Sequence, residues 1–381
     1  MSQEDVSRRG FIRAASTSLL AAAVPTTQLA PPGKEPPDLK IPKSQSKVGY
    51  AIVGLGKLAV EEILPAFGAS KRSRPTALVS GHPEKARQLA SVYDVDPKKI
   101  YSYDNYDKLA DDPDVQIVYN VLPNHMHAEF TIRALKAGKH VLCEKPMCAT
   151  VDEARQMCDA AKQANKQLMI AYRLHYEPFN LKARELVQQG GMGRVRLIET
   201  QNGQNTQAPN IRLSKQTAGG PLGDVGVYCQ NTIRFVLGKE PIEVSAEAYQ
   251  PADDPRFAEV YEHIVWRMTF PDGVIANCSA SFGSETSRFY RVTCEKGYLE
   301  LENAFGYEGQ ELYTKLEGKL SKHEINSVDH FAAEMDHFSE CIQQNKPNRT
   351  PGEEGLKDMI IMDAIFRSVN ERRPVKVELN V

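Results

Sequence analysis

The sequence predicts an α/β domain followed by an α+β domain built on a large, mostly antiparallel, open-faced sheet. Three observations carry this. A glycine-bearing turn joins a buried strand to a helix near residue 54. Uncharged strand runs then alternate with helical stretches as far as residue 170. Beyond about residue 175, short segments of alternating apolar and polar residues, separated by turns, replace that pattern. With 381 residues the chain is long enough for two domains of ordinary size.

Residues 48–53, VGYAIV, carry no charge and read as a buried strand. Gly54-Leu55-Gly56-Lys57-Leu58-Ala59 follows at once and opens a helical stretch, 60–67. This is G-x-G-x-x-A on a strand-to-helix turn. Gly54 permits the tight turn, Gly56 lets the backbone approach a pyrophosphate, and Ala59 keeps helix and strand close. The helix N-terminus adds N–H donors and the positive end of its dipole. Together these predict a Rossmann dinucleotide-binding domain over residues 47–170. In NAD enzymes an acid about twenty residues on bonds the ribose 2′-hydroxyl. Here strand 76–79 ends in Ser80-Gly81-His82, with Lys85 close behind and no acid at the strand end. A hydroxyl and a cation suit a 2′-phosphate, so the sequence prefers NADP.

The alternation continues. Strand 115–122 ends in Leu122-Pro123-Asn124, and Asn124 is placed to cap helix 127–137, which Gly138 ends. Strand 140–143 ends in Glu144-Lys145-Pro146. Strand ends of an open parallel sheet face the ligand crevice, so Lys145 is expected to point toward the nicotinamide. His125 and His127 share that crevice, but no third ligand is spaced to help them, and no metal is expected.

In the second domain, 171–381, strands are expected at 194–201, 243–249, 263–270, 274–282 and 289–302. Pro271-Asp272-Gly273 marks a hairpin between two of them. One sheet face should be covered and one open, and the open face is an expected oligomer interface. Between the first two strands, Gly219-Gly220-Pro221-Leu222-Gly223-Asp224 leads into a helix over 225–237. Asp224 and Tyr228 are four apart and share one helix face. A carboxylate and a phenol there form either an acid–base pair or a helix cap beside a core tyrosine. A tyrosine serves as a base at neutral pH only beside a cation such as Lys145. Phe331, Met335, Phe338 and Ile342 make a helical apolar stripe. Thr350-Pro351-Gly352-Glu353 reads as a capping box starting a helix to about residue 371, and 375–379 closes as a strand.

Composition excludes some partners. The chain is 41% hydrophobic and 25% charged, with net charge −2, so no positive field exists to hold nucleic acid. Seven cysteines lack paired metal or redox spacing and read as buried apolar residues. At the N-terminus, Ser7-Arg8-Arg9-Gly10-Phe11-Ile12-Arg13 precedes a weakly apolar run, 14–24, too short to span a bilayer. This predicts a twin-arginine signal over 1–30, hence the export machinery as a partner, a periplasmic location and no membrane anchor. Residues 31–46 are proline-rich and form either a disordered leader or an arm on a neighbouring subunit.

The motifs GLGKLAVEEILPAF (54–67), ALVSGHPEKA (77–86), LPNHMHAEF (122–130), AGKHVLCEKPM (137–147), YRLHYEP (172–178), GDVGVY (223–228) and NKPNRTPGEEG (345–355) resemble the glucose–fructose oxidoreductase and inositol dehydrogenase superfamily over about 47–374. The resemblance implies that Gly54, Gly56, Lys57, Leu58 and Ala59 lie against the pyrophosphate. It places Ser80, Gly81, Lys85 and Tyr103 at the adenosine 2′-phosphate. Leu122, Pro123, Asn124, His127, Glu144, Lys145, Arg173 and Arg212 line the cofactor or nicotinamide side. Lys145, Asp224 and Tyr228 match catalytic positions. Tyrosine rather than histidine at 228 favours the glucose–fructose oxidoreductase branch. That branch implies sugar substrates, a tightly bound NADP, alternate oxidation and reduction of two sugars by a ping-pong cycle, and a homodimer or homotetramer. A cycle that needs no free coenzyme fits export. The segment 202–215 departs from the family pattern and leaves the sugar preference open.

Overall fold

The computed structural model describes residues 47–381. The expected twin-arginine signal and proline-rich arm lie outside the described residues.

The first sheet is wholly parallel. Its strands are β1 (Val48–Val53), β2 (Ser73–Val79), β3 (Ile100–Tyr101), β4 (Ile117–Asn120), β5 (His140–Cys143) and β6 (Leu168–Ile170), in the order β3-β2-β1-β4-β5-β6. Strand order reverses between β1 and β4, which opens a crevice at their C-terminal ends. Alternate side chains feed two cores. Tyr50, Ile52, Leu78 and Tyr119 face one side, and Ala51, Val53, Val79 and Val118 face the other. Helices α1 (Pro83–Val92), α2 (His127–Lys136) and α3 (Val151–Ala164) connect the strands. After β1 the chain makes a π-helical turn, Ala59–Ile63, that continues as Leu64–Ala66.

The second sheet has nine strands. They are β7 (Val195–Asn205), β8 (Glu243–Tyr249), β9 (His263–Thr269), β10 (Ile275–Ser281), β11 (Gly283–Cys294), β12 (Gly297–Glu302), β13 (Glu311–Leu316), β14 (Lys319–His323) and β15 (Val375–Lys376). Their order is β14-β13-β12-β11-β7-β10-β9-β8-β15, and only the β7–β10 pairing is parallel. The hairpin at Gly273 forms as expected, with φ at +81°. The expected strand 289–302 is two strands, because Glu295 and Lys296 turn the chain between β11 and β12. β13 and β14 escape the sequence pattern because most of their side chains reach solvent. Along β10 buried and outward residues alternate, leaving Asn277 exposed on the uncovered face.

Helices α4 (Pro178–Gln188) and α5 (Val227–Leu237) pack on each other, and α5 packs against β7 and β10. α6 (His330–Gln344) comes late in the sequence yet returns to the first domain. Its Phe331, Met335 and Phe338 join Tyr50 and Ile52 in one core, and the Tyr50 hydroxyl donates to the Met335 carbonyl at 2.9 Å. α7 (Gly352–Glu371) begins without the expected capping box. Thr350 instead donates to the Ile170 carbonyl at 2.8 Å, so its hydroxyl ties the chain to β6 rather than to a helix end. The cysteines are buried, as expected of most of them, and all seven are free.

One buried ion pair holds the helix that carries the site. Arg234 on α5 meets Asp358 on α7 at 2.7 Å, with side chains 2% and 1% exposed. Asp358 also accepts from Asn231 at 2.8 Å. Arg234 also pairs with Glu240 and, at 2.9 Å, with Glu354, so removing Asp358 leaves its charge compensated but leaves buried Asn231 and Arg234 N–H donors without an acceptor. Asp358→Ala should therefore destabilise the chain by about 1–3 kcal/mol, read as a lowered thermal unfolding midpoint; an unchanged midpoint would contradict it.

Candidate active site

A cavity of about 450 Å3 opens where the strands of the first sheet end. Its walls come from five places: the turn after β1, the end of β2, the loop after β3, the ends of β4 and β5, and a segment of the second domain. Gly54 sits at φ +92°, and a Cβ there would lie 2.8 Å from the Val121 carbonyl. Only glycine makes that turn without strain. Gly56 is the opposite case: a Cβ meets nothing within 4 Å and would project into the open cavity. The cradle thus has the shape that a backbone approach by a phosphate needs. The start of the helix after it supplies donors and a positive dipole end.

At the far end, Ser80 is buried and its oxygen accepts from the His82 N–H at 3.0 Å, which leaves the hydroxyl proton to donate. Lys85 lines the same wall. Burial first pushes its ammonium down, and Glu61 opposes this in part. Tyr103 closes the corner, with its ring 3.2 Å from where a Gly81 Cβ would stand. Among the described residues no acidic side chain lines this end of the cavity. Lys57 is largely exposed and pairs with Glu61 at 3.9 Å, while Leu58 and Leu122 line the wall.

The strand-end residues brace one another. Glu144 is buried, accepts from the Tyr119 hydroxyl at 2.9 Å and from the Lys145 N–H at 3.2 Å. Burial raises its carboxyl above the usual range, and Lys145 counteracts this. His127 places its two ring nitrogens 2.8 Å from the carbonyls of Pro146 and Leu122. It joins two strand-end loops as a brace, and burial pushes its imidazole down. Asn124 does not cap α2. Its amide crosses to the second domain and donates to the Ala218 carbonyl at 2.9 Å, while α2 starts without a side-chain cap. Pro123 lines the wall beside it.

The second domain brings Asp224 and Tyr228 to this crevice. The helix starts earlier than expected, with a π-helical turn Leu222–Gly226 running into α5. Lys145 Nζ donates to the Asp224 carbonyl at 2.9 Å, lies 3.9 Å from its carboxylate, and sits 4.3 Å from the centre of the Tyr228 ring. The other Asp224 oxygen accepts from Arg212 at 2.8 Å. Asp224 raises the Arg212 guanidinium above its usual value. The cation that touches the phenol oxygen is Arg173, whose Nε donates to it at 3.3 Å. Arg173 is 3% exposed and lies behind Tyr228. Its other donors reach the Phe305 carbonyl at 2.8 Å, the Gly306 carbonyl at 3.1 Å and His330 Nδ1 at 3.1 Å.

The expected trio of Lys145, Asp224 and Tyr228 is therefore gathered in one place, with Arg212 and Arg173 against it. Sequence reasoning missed the 305–307 loop, His330 and Ile211, which also lines the cavity. No local pattern marks them, since they reach the site from over 70 residues away or from a loop without a motif.

Residues 48–172 match the GFO/IDH/MocA oxidoreductase family, NAD-binding Rossmann fold, and residues 180–300 match the GFO/IDH/MocA C-terminal domain. The chain is similar to an aldose-aldose oxidoreductase from Caulobacter crescentus, at 40% identity and TM-score 0.85, covering 87% of this chain and 99% of that one. It is also similar to a D-xylose 1-dehydrogenase [NADP(+)] of Haloarcula marismortui, at 28% identity over 88% of this chain and 94% of the relative. The 3-ketoreductase KijD10 of Actinomadura kijaniata, solved with NADP, shares the fold at 22% identity and TM-score 0.74, covering 85% of this chain and 98% of that one.

Gly54→Ala should lower dinucleotide affinity at least about tenfold, because the turn must move to relieve the Val121 contact. Titration of the purified protein with NADP reads this directly, and wild-type affinity in the variant would contradict the assigned role of the turn.

Proposed function

The chain belongs to the GFO/IDH/MocA family of NAD(P)-dependent oxidoreductases, and from that premise we propose that it oxidises an aldose at C1 with NADP and reduces a second sugar on the same captive cofactor. The observation that carries this reading is Tyr228, whose oxygen accepts from Arg173 while Lys145 lies over its ring at the edge of the nucleotide cavity. A phenol held between two cations at the crevice is placed to exchange a proton with a sugar hydroxyl. Ser80 and Lys85, with no acid among the described residues that line their end of the cavity, support NADP.

Tyr228 takes the proton of the sugar C1 hydroxyl. Lys145, fixed by the Asp224 carbonyl, orients that hydroxyl and offsets the negative charge that grows on its oxygen. Asp224 holds Arg212 and so keeps the 206–220 segment against the cavity. Bound NADP supplies the hydride acceptor for the first sugar and the donor for the second. With the second sugar, Tyr228 returns its proton to the carbonyl oxygen, so the chain ends each cycle in its starting protonation state. Retention of the cofactor is supported by the Asn124–Ala218 bond, which fastens the second domain across the crevice. Export by the twin-arginine route, supported by residues 7–24, completes this reading: a periplasmic enzyme that regenerates its own coenzyme. The open sheet face supports a homodimer or homotetramer.

The likeness to D-xylose 1-dehydrogenase supports a second reading, a dissociable NADP-dependent dehydrogenase of an aldose, cyclitol or dihydrodiol. Exhaustive dialysis separates the two. Nicotinamide absorbance that survives dialysis, shifts to the reduced form with glucose and reverts with fructose supports the first. Loss of all nucleotide supports the second.

Lys145→Ala and Tyr228→Phe should each lower kcat by about 10²–10⁴-fold while NADP still binds. Near-normal turnover by Tyr228→Phe would remove its role as proton carrier. Lys85→Ala should cut the preference for NADP over NAD by about tenfold, measured as the ratio of dissociation constants.

A further inference from the structure

One buried acid has no part in the chemistry above. Glu334 lies on α6, is 0% exposed, and neither carboxyl oxygen has a hydrogen-bond partner among the described residues. Its surroundings are unusually rich in charge for a core. Glu144 at the end of β5 and Arg173 in the 173–176 turn both act on it electrostatically. Tyr119 of β4, Tyr50 of β1 and Tyr176 of the same turn feel its charge. The helix start Ala59–Ile63, which also packs on α6, contributes the buried Glu62. On α6 itself, His330 stands one turn before Glu334 and contacts Arg173.

Glu144 and Glu334 differ in one respect. Glu144 accepts two hydrogen bonds, from Tyr119 and from the Lys145 N–H, as an anion should. Glu334 accepts none. An ionised carboxylate without donors or a touching cation is costly in a protein interior. Arg173 does not neutralise it by contact, since the hydrogen bonds of Arg173 go to two carbonyls, an imidazole and the Tyr228 phenol.

We propose that Glu334 is a neutral carboxylic acid in the folded protein and a positioning residue: by holding its proton it leaves the Arg173 charge directed at the Tyr228 oxygen. An ionised Glu334 would draw that guanidinium and cancel its field at the phenol. Burial first, then Glu144, raises the carboxyl well above the usual range, which agrees with this geometry. The effect on Tyr228 rests on the proposed proton transfer; the protonation state of Glu334 does not.

Two measurements on the full chain test the two parts. The first is thermal unfolding of wild type and Glu334→Gln across pH. A carboxyl protonated in the folded state and ionised in the unfolded state costs stability above its ordinary value, and the cost grows as pH rises. Glutamine should therefore raise the midpoint at neutral pH by roughly 2–4 °C or more, with the gap closing as pH falls below the normal glutamate range. A lower midpoint for Glu334→Gln at neutral pH, or failure of this variant to fold, would overturn the proposal, because an ionised Glu334 paired with Arg173 gives that sign. The second is the pH profile of kcat/KM for aldose oxidation. Wild type should lose activity at alkaline pH as Glu334 ionises, and Glu334→Gln should exceed it there by about tenfold. Coincident alkaline limbs would refute the link to Tyr228. If no sugar is turned over by wild type, the function assigned above fails while the unfolding series still decides the state of Glu334.

Discussion

The site depends on a buried guanidinium that makes no ion pair among the described residues. Arg173 leaves β6 as the chain passes from the first domain to the second, and it is buried where both domains meet α6. Its donors are spent on the Phe305 and Gly306 carbonyls of the loop after β12, on His330 of α6 and on Tyr228 of α5. Those four partners come from three separate parts of the chain. A lysine cannot reproduce that planar fork. Moving any one element would leave a buried donor unpaired, so the arginine fixes the loop, the helix and the phenol relative to one another.

The same economy governs the crevice wall. Lys145 is anchored to a carbonyl at the π-helical start of α5, His127 joins the 122 and 146 backbones, and Asn124 crosses to Ala218. Main-chain acceptors thus hold several of the side chains that face the cavity. Such anchors do not titrate, which leaves the titratable groups near Tyr228 for chemistry rather than for architecture. Asp224 is the exception: its carboxylate faces Lys145 at 3.9 Å and accepts a hydrogen bond from Arg212, and so links Lys145 to the 211–219 wall of the second domain through charged groups.

What was legible in the sequence follows from how local each signal is. The turn at Gly54 and Gly56, the strand ends at Ser80 and Lys145, and the placing of Asp224 and Tyr228 at one helix start each rest on residues within a few positions of one another. Periodicity identified most strands of both sheets for the same reason. The failures are non-local. Thr350 and Glu353 have the spacing of a capping box, but β6 offers Thr350 a carbonyl, and that contact wins. Asn124 has the position of a helix cap, but Ala218, 94 residues on, takes its amide. β13 and β14 lack alternation because little of them is buried.

Lys145, Asp224 and Tyr228 meet in one place, but the cation expected at the phenol oxygen, Lys145, is not the one that touches it. From sequence, Lys145 is the obvious neighbour of Tyr228, since both stand in family motifs. In the structure Lys145 lies over the ring face, where its field acts on the π-system, and Arg173 lies along the oxygen. The two positions do different work. Arg173 also lies over the ring, 5.0 Å from its centre, but its Nε reaches the phenol oxygen at hydrogen-bond distance. A cation above the ring remains close enough to the crevice to meet a substrate oxygen as well. For the proposed proton transfer, this division leaves Lys145 free to meet a substrate oxygen while Arg173, shielded from water, stays at the phenol oxygen; a single cation serving both would have to leave one oxygen to reach the other.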